Sequence, residues 1–562
     1  MATTHRVVDH IVSYLAAIGV DLIFGVDGAN IEDLYDAAQL RTDITAVLAK
    51  HEFAAATMAD GYSRSGCGLG VLAATSGGGC LNTVPGLGEA LASRVPVLAL
   101  IGQPPTGLDG RGAFQDTSGR NGALDGVALF SAVSAQCRRV LAPAEIVPAL
   151  TEAVAAALAR RGPAVLLLPK DIQQASIPRN GAAGCTQPSR RVGDPGVLVR
   201  ALREAGSPVT VIAGEQVARD DARVELEALR AVLCARVATV PDAKDVAATL
   251  GSRSASALGV TGVMGHPGVA AAVARSGVCL LIGTRMTVTA RAGLDDALAT
   301  AAVYSLGCAA PYLPCTHVHT DDLRTSLTQL TAALSSPPIR VREATDVVHR
   351  ELHPPEHHGP GVRYRDAMTV LDRTLPDGVD IAVDAGNIGA AAIHHLPARR
   401  DGRFLVALGM GGMGYSFGAA IGMAFGRGRR TVVIAGDGSF YMHGMEIHTA
   451  VQYGLPVTFV LFDNHAHAMC VTREQTFYGG AYSYNKFGAS RLGAGLAAMF
   501  PGLAATDITD VDALPGALAA ALAADGPSVV AVECAADEIP PFAAFLTQHD
   551  SKESTVDAIP RA

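Results

Sequence analysis

Thr431-Val432-Val433-Ile434-Ala435-Gly436-Asp437-Gly438-Ser439 is the stretch on which the fold turns: an apolar run that stops abruptly at a Gly-Asp-Gly turn. A second run, Pro456-Val457-Thr458-Phe459-Val460-Leu461-Phe462, ends just before Asn464, which stands 27 positions after Asp437. One strand, one crossover helix and the next strand occupy about that length, so both side chains emerge at the carboxyl edge of a parallel sheet, where ligands of doubly wound sheets sit. An Asp carboxylate and an Asn amide oxygen are hard donors suited to Mg²⁺, which shares its shell with phosphate oxygens. The glycines let the backbone approach those phosphates closely. A lone turn of this kind also closes ordinary strand-to-helix units, so the reading needs a second, independent feature.

Outward from the turn, strand-like runs alternate with helical patterns over the whole chain. Asp21 to Phe24, Gly70 to Ala73, Val95 to Ile101 and Ala164 to Leu168 mark a first segment, and Val209 to Ile212 and Val278 to Ile282 a second. Ile381 to Val383, Thr431 to Ile434 and Ser528 to Val532 mark a third. This alternation predicts an α/β protein of three doubly wound parallel-sheet domains, over 1–180, 192–338 and 355–548. The stretches 178–195 and 352–361 read as linkers and 550–562 as a polar tail.

Composition narrows the function classes. The 562 residues carry 44 basic and 53 acidic side chains, a net charge of −9 without blocks of like charge, which speaks against nucleic acid or anionic membrane as partner. Ten cysteines without metal-ligand spacing, in a chain too large to need disulfide staples, suit a reducing cytosol and read mostly as small buried hydrophobes. No apolar run approaches the roughly 20 residues of a membrane helix, and no signal-peptide core follows Met1 to Arg6, so a cytoplasmic enzyme of small molecules is expected. A Gly-x-Gly-x-x-Gly in the first strand-helix unit, the mark of a dinucleotide-dependent dehydrogenase, is absent.

The second feature is Lys50-His51-Glu52-Phe53-Ala54-Ala55-Ala56-Thr57-Met58-Ala59-Asp60-Gly61-Tyr62-Ser63-Arg64. Together with Gly436 to Gly438 and Asn464 it resembles the thiamine diphosphate (ThDP) decarboxylase and carboligase superfamily, and the resemblance covers essentially the whole chain. Pro169-Lys170-Asp171, Met264-Gly265-His266, Ile282-Gly283-Thr284-Arg285 and Leu408-Gly409-Met410-Gly411-Gly412-Met413-Gly414-Tyr415 are similar to the acetohydroxyacid (acetolactate) synthase branch. The resemblance implies pyrimidine-binding, central and diphosphate-binding domains, in that order. It makes Glu52 the activator of the cofactor's pyrimidine ring and puts Gln115 near the reaction centre, with Gly28, Thr75 and Asn82 on pocket-lining loops. It puts the Gly411 carbonyl on the aminopyrimidine and Met413 beneath a bent cofactor. Gly436, Asp437, Gly438, Ser439, Asn464, Ala466 and Met469 then bind the diphosphate end, with Asp437, Asn464 and the Ala466 carbonyl around Mg²⁺. It also implies a homodimer or homotetramer, because Glu52 of one subunit faces the diphosphate site of another.

The pattern also breaks. Arg473 falls where those synthases carry a substrate-gating Trp, and this chain has no Trp. Thr289 stands where they have an Arg that grips the acceptor's carboxylate, with Arg291 two residues on. A bidentate Arg contributes about 1.5 to 3 kcal/mol, so a second 2-keto acid is not the expected acceptor. Arg473, His465 and His467 are candidate replacements. Many synthases of this branch hold FAD in the central segment; here Ile212-Ala213-Gly214-Glu215 replaces the run of glycines, which argues against it and leaves FAD open. The expected activity is decarboxylation of a pyruvate-like 2-keto acid followed by carboligation to an acceptor carbonyl. The alternative is a decarboxylase releasing an aldehyde, with His465 or His467 as proton donor.

Overall fold

Uninterrupted aliphatic runs form the innermost strands. Val97–Gln103, Pro163–Pro169 and Val457–Asp463 are buried along their whole length, as strands covered by helices on both sheet faces must be. The computed structural model describes residues 4–179, 190–206, 208–249, 256–338, 350–481 and 483–546. In it these strands belong to three six-stranded sheets, and every pairing within them is parallel. Most of the stretch 178–195 and the tail 550–562 lie outside the described residues.

The first sheet runs Thr45–Leu48, Leu22–Val26, Gly70–Ala74, Val97–Gln103, Pro163–Pro169, Gln136–Arg139. The third runs Phe404–Val406, Asp380–Val383, Thr431–Gly436, Val457–Asp463, Ser528–Glu533, Ala504–Ile508. The two orders are identical when strands are counted along the chain, and in both the winding reverses between the first and third strand. The central sheet has the other doubly wound order, Ala257–Val260, Arg236–Thr239, Val209–Ala213, Val278–Ile282, Ala302–Gly307, Thr316–His319, and reverses between Val209–Ala213 and Val278–Ile282. The molecule therefore offers three crevices at carboxyl strand ends.

First and third domains meet through helices Glu52–Arg64 and Tyr415–Arg427. Glycines make the crossing close: a β-carbon at Gly61 would lie 2.4 Å from the Ala419 carbonyl oxygen, and one at Gly422 would lie 2.0 Å from that of Met58. The central domain docks through Lys244, 2% exposed, whose Nζ meets the carbonyls of Ala392 (3.2 Å), Ile393 and Leu396 at the end of helix Asn387–His395. A cation at a helix C-terminus faces the negative end of the helix dipole and the orphan carbonyls.

Among the described residues no helix is long and apolar enough to cross a membrane. Among the described cysteines only Cys80, Cys279 and Cys534 are buried, Cys67, Cys137, Cys308 and Cys315 are half-buried, and Cys234 and Cys470 are exposed, so the expectation of mostly buried small hydrophobes does not hold.

Candidate functional site

The crevice of the third sheet is built by two carboxylates at adjacent strand ends. Asp384 follows Asp380–Val383 and is 1% exposed. Its Oδ1 accepts the Gly414 amide at 2.9 Å and the Ser439 hydroxyl at 2.7 Å, and its Oδ2 accepts the Ser416 amide at 2.9 Å and hydroxyl at 2.7 Å. One buried anion thereby ties the turn of Gly436 to Gly438 to the loop of Gly411 to Gly414. Met413 and His467 converge over Gly438, where a β-carbon would lie 3.2 Å from Met413 Cε and 2.5 Å from His467 Nδ1. Gly414, with φ +88°, adopts the left-handed turn that starts helix Tyr415–Arg427.

Asp437, 1% exposed, begins helix Asp437–His443. Its Oδ2 and the Asn464 Oδ1 both accept the Ala466 amide, each at 3.1 Å, so the two oxygens come together on one N–H. Asp437 Oδ1 is buried with no hydrogen-bond partner. Strand Val457–Asp463 delivers Asp463 beside it, and His465 follows with φ +55°, its Nδ1 3.0 Å from Asp463 Oδ1 and its Nε2 2.9 Å from Glu533 Oε1. Ligand atoms of Asp437, Asp463 and His465 lie within 4.8 Å of one another. Burial, and then the charge of Asp463, hold the Asp437 carboxyl above its usual range. An orphaned buried oxygen amid clustered acids fits a hard divalent cation, so the residues present suit Mg²⁺.

The first sheet repeats this arrangement with neutral groups. The loop after Leu22–Val26 brings Gly28 and Asn30 onto the loop after Gly70–Ala74: the Asn30 amide donates to Thr75 Oγ1 at 3.2 Å and its Nδ2 to Ser76 Oγ at 2.7 Å. The Ser76 hydroxyl donates to Gln115 Oε1 at 3.2 Å, and Gln115 has φ +63°. Glu52 opens helix Glu52–Arg64 behind the N-cap His51, whose Nδ1 accepts the Phe53 amide at 3.0 Å. Glu52 Oε2 accepts the Asn82 amide group at 2.9 Å. A β-carbon at Gly79 would lie 3.1 Å from Oε1 and 2.8 Å from Thr75 Cγ2, so Gly79 leaves the carboxylate its space.

Among the described residues no hydrogen bond or ion pair joins Glu52 to Asp437 or Asn464 within the chain; each cluster closes on its own domain. Phe53, next to Glu52, stacks on His443 of the diphosphate helix at 4.3 Å between ring centroids. Arg473 is exposed on helix Ala468–Tyr478, its guanidinium 5.4 Å from the Phe477 ring, and half-buried Met469 lies on that helix's first turn. The central crevice is occupied by a side chain. Gln216, 1% exposed, fills it, donating to Asp220 at 3.0 Å and the Thr320 carbonyl at 3.2 Å and accepting the Cys308 amide at 2.7 Å.

The family description "Thiamine pyrophosphate enzyme, N-terminal TPP binding domain" matches residues 5–123, and "Thiamine pyrophosphate enzyme, C-terminal TPP binding domain" matches 384–532. Both clusters fall inside these spans. The chain carries both thiamine pyrophosphate-binding domains of that enzyme family. It is 29% identical over 515 residues to a probable acetolactate synthase large subunit of Methanocaldococcus jannaschii, covering 85% of this chain and 84% of that one. It is 29% identical over 546 residues to the acetolactate synthase isozyme 2 large subunit of Escherichia coli K12, covering 93% and 94%. Acetolactate synthase 1, chloroplastic, of Nicotiana tabacum is 28% identical over 598 residues, covering 97% and 85%. The protein is accordingly an acetolactate synthase-like enzyme.

Asp384 and Asp463 were missed by the sequence reading. Each stands at the carboxyl end of an apolar run, Ile381-Ala382-Val383 and Val457 to Phe462, and that position beside the Gly-Asp-Gly turn was the available signal.

Proposed function

We propose that this enzyme uses thiamine diphosphate with Mg²⁺ to decarboxylate a pyruvate-like 2-keto acid and join the remaining fragment to an acceptor carbonyl other than a second 2-keto acid. The observation that carries the reading is the unpartnered, buried Asp437 Oδ1 beside Asn464 and Asp463 at the carboxyl edge of the sheet. Asp437, Asn464 and the Ala466 carbonyl hold the metal and diphosphate, and Asp463 and His465 stand close enough to join or orient them. When bound, thiamine diphosphate supplies the electron sink that lets carbon dioxide leave the keto acid. Asn82 holds Glu52 Oε2 and leaves Oε1 to hold a proton against the pyrimidine ring. Gln115, pinned by Ser76, presents its amide group toward the substrate. Met413, whose Cε would lie 3.2 Å from a β-carbon at Gly438, would pack against the bound cofactor.

The family resemblance, in which the activating Glu of one copy serves the diphosphate site of another, is the support for a homodimer or homotetramer here. An altered acceptor is supported by Arg291, whose NH1 is spent on the Tyr312 carbonyl at 2.5 Å and whose Nε lies 3.3 Å from Asp295. His465 is held between Asp463 and Glu533, which argues against it as donor of a proton to a released aldehyde, whereas His467, edge-on to Phe487 at 4.7 Å, keeps a buried, unpartnered Nδ1.

Incubation with pyruvate, with and without added aldehydes and ketones, and identification of products by mass spectrometry tests this. A hydroxyketone formed with an added aldehyde or ketone is expected. Free acetaldehyde as the sole product would overturn carboligation, and acetolactate formed from pyruvate alone would overturn the altered acceptor.

A further inference from the structure

Glu446 is 2% exposed, yet no ion pair reaches it among the described residues. It follows the diphosphate helix Asp437–His443 in the third domain, but both its oxygens accept the amide of Lys50, a first-domain residue, at 3.1 Å. Oε1 also accepts the Thr449 hydroxyl at 2.5 Å. The Lys50 ammonium points elsewhere, to the Leu48 carbonyl at 3.1 Å and Gln452 Oε1 at 2.8 Å. Tyr453 accepts the Leu48 amide at 3.0 Å, so residues 446–453 grip the strand end from Leu48 to Lys50 at several points. Glu89 provides the contrast. It too is buried and crosses the domain boundary, accepting the Met410 amide at 2.6 Å, but Arg64 supplies a countercharge at 3.3 Å and is itself held by Asp60.

Burying a carboxylate without a cation in contact is costly unless its oxygens are hydrogen-bonded, as these are. Burial pushes the Glu446 carboxyl up to about 7, against the opposing pull of the Thr449 hydroxyl, the Lys50 amide, the more distant Lys50 charge and the His51 amide. The gripped backbone leads directly into Glu52. Lys50 is followed by His51, which caps helix Glu52–Arg64 and meets His443 edge-on at 5.0 Å. A shift of the Lys50 peptide would therefore swing the first turn of the helix and the Glu52 carboxylate with it.

We propose that Glu446 is a positioning residue for Glu52, fixing from the third domain the backbone that enters the helix carrying the cofactor-activating carboxylate. The inference rests on the role given to Glu52 above. Glu446→Gln keeps one oxygen in reach of the Lys50 amide, whereas Glu446→Asp keeps the charge but withdraws it by one methylene.

The test uses two measurements. In the cofactor-free chain, amide hydrogen exchange over residues 48–53 should accelerate at least tenfold in Glu446→Asp and stay within about threefold of wild type in Glu446→Gln. In chains saturated with thiamine diphosphate and Mg²⁺, hydrogen-deuterium exchange at the thiazolium C2, followed by NMR, should slow at least tenfold in the Asp variant and little in the Gln variant. Wild-type C2 exchange that Glu446→Asp leaves unchanged would overturn the positioning role alone, as would a Gln variant as impaired as the Asp variant. No C2 exchange in the wild type would overturn the reading of Glu52 and the positioning role with it.

Discussion

Asp384 Oδ1 lies 2.7 Å from the Ser439 hydroxyl, which joins the two strand ends between which the third sheet reverses its winding. Because the same carboxylate also accepts from Gly414 and Ser416, its removal leaves several buried donors unpaired. Asp384→Ala should lower unfolding stability by on the order of 3 kcal/mol, read from denaturant unfolding. A loss under about 0.5 kcal/mol, the size expected of a surface site, would refute the account.

Asp437 should behave in the opposite sense. It is a buried carboxylate facing Asp463 with one oxygen unpartnered, an arrangement that is unfavourable until a cation arrives. Asp437→Asn keeps an acceptor for the Ala466 amide and removes the uncompensated charge. The metal-free variant should melt higher than the metal-free wild type, while calorimetry shows Mg²⁺-dependent cofactor binding weakened by orders of magnitude. A variant that melts lower and still binds normally would sink the metal assignment.

Acid should loosen the boundary between the central and third domains. His266 stacks on His394 at 4.3 Å, and His394 meets His395 edge-on at 4.7 Å. Burial, the first cause in each case, pushes these rings down to about 2, about 4 and about 3 respectively, from an ordinary value of 6.5. The unfolded chain takes up protons near pH 6.5 that the folded chain refuses. Their contribution to stability is therefore complete above pH 6.5 and drains as pH falls toward 4, by up to about 1.4 kcal/mol per pH unit for each ring. Urea unfolding at pH 7.5, 6 and 5 checks this, and His395→Gln should make the decline shallower. A flat profile would contradict it.

Two glycine substitutions should differ in sign. Gly422→Ala places a β-carbon 2.0 Å from the Met58 carbonyl oxygen, in backbone that cannot move without parting the helices, and should cost at least about 2 kcal/mol. Gly516→Ala, exposed on helix Leu514–Ala523 with nothing within 4 Å, should stabilise by about 0.5 to 1 kcal/mol through reduced freedom of the unfolded chain. Differential scanning calorimetry of both variants decides the point; equal shifts would refute the close crossing of the helices.

The amino-acid order alone determined the three α/β units and the elements that carry Glu52, Asp437 and Asn464. Inner strands buried on both faces must be apolar throughout, so Val97 to Ile101 or Val457 to Phe462 can be read locally, and glycine turns at strand ends mark themselves. Several edge strands gave no such signal. Gln136–Arg139 is half-buried along its length and carries polar side chains accordingly. Only the tertiary structure decided that Asp384 knots two loops, that Asp463 and His465 crowd Asp437, that Gln216 closes the central crevice and that Glu446 grips the approach to Glu52. Each is a single polar residue with partners brought to it by strand order and domain docking, such as Asp463 from 26 residues beyond Asp437 and Lys50 from 396 before Glu446. A hydrogen bond acts over about 3 Å of space and leaves no periodic trace in the chain that makes it.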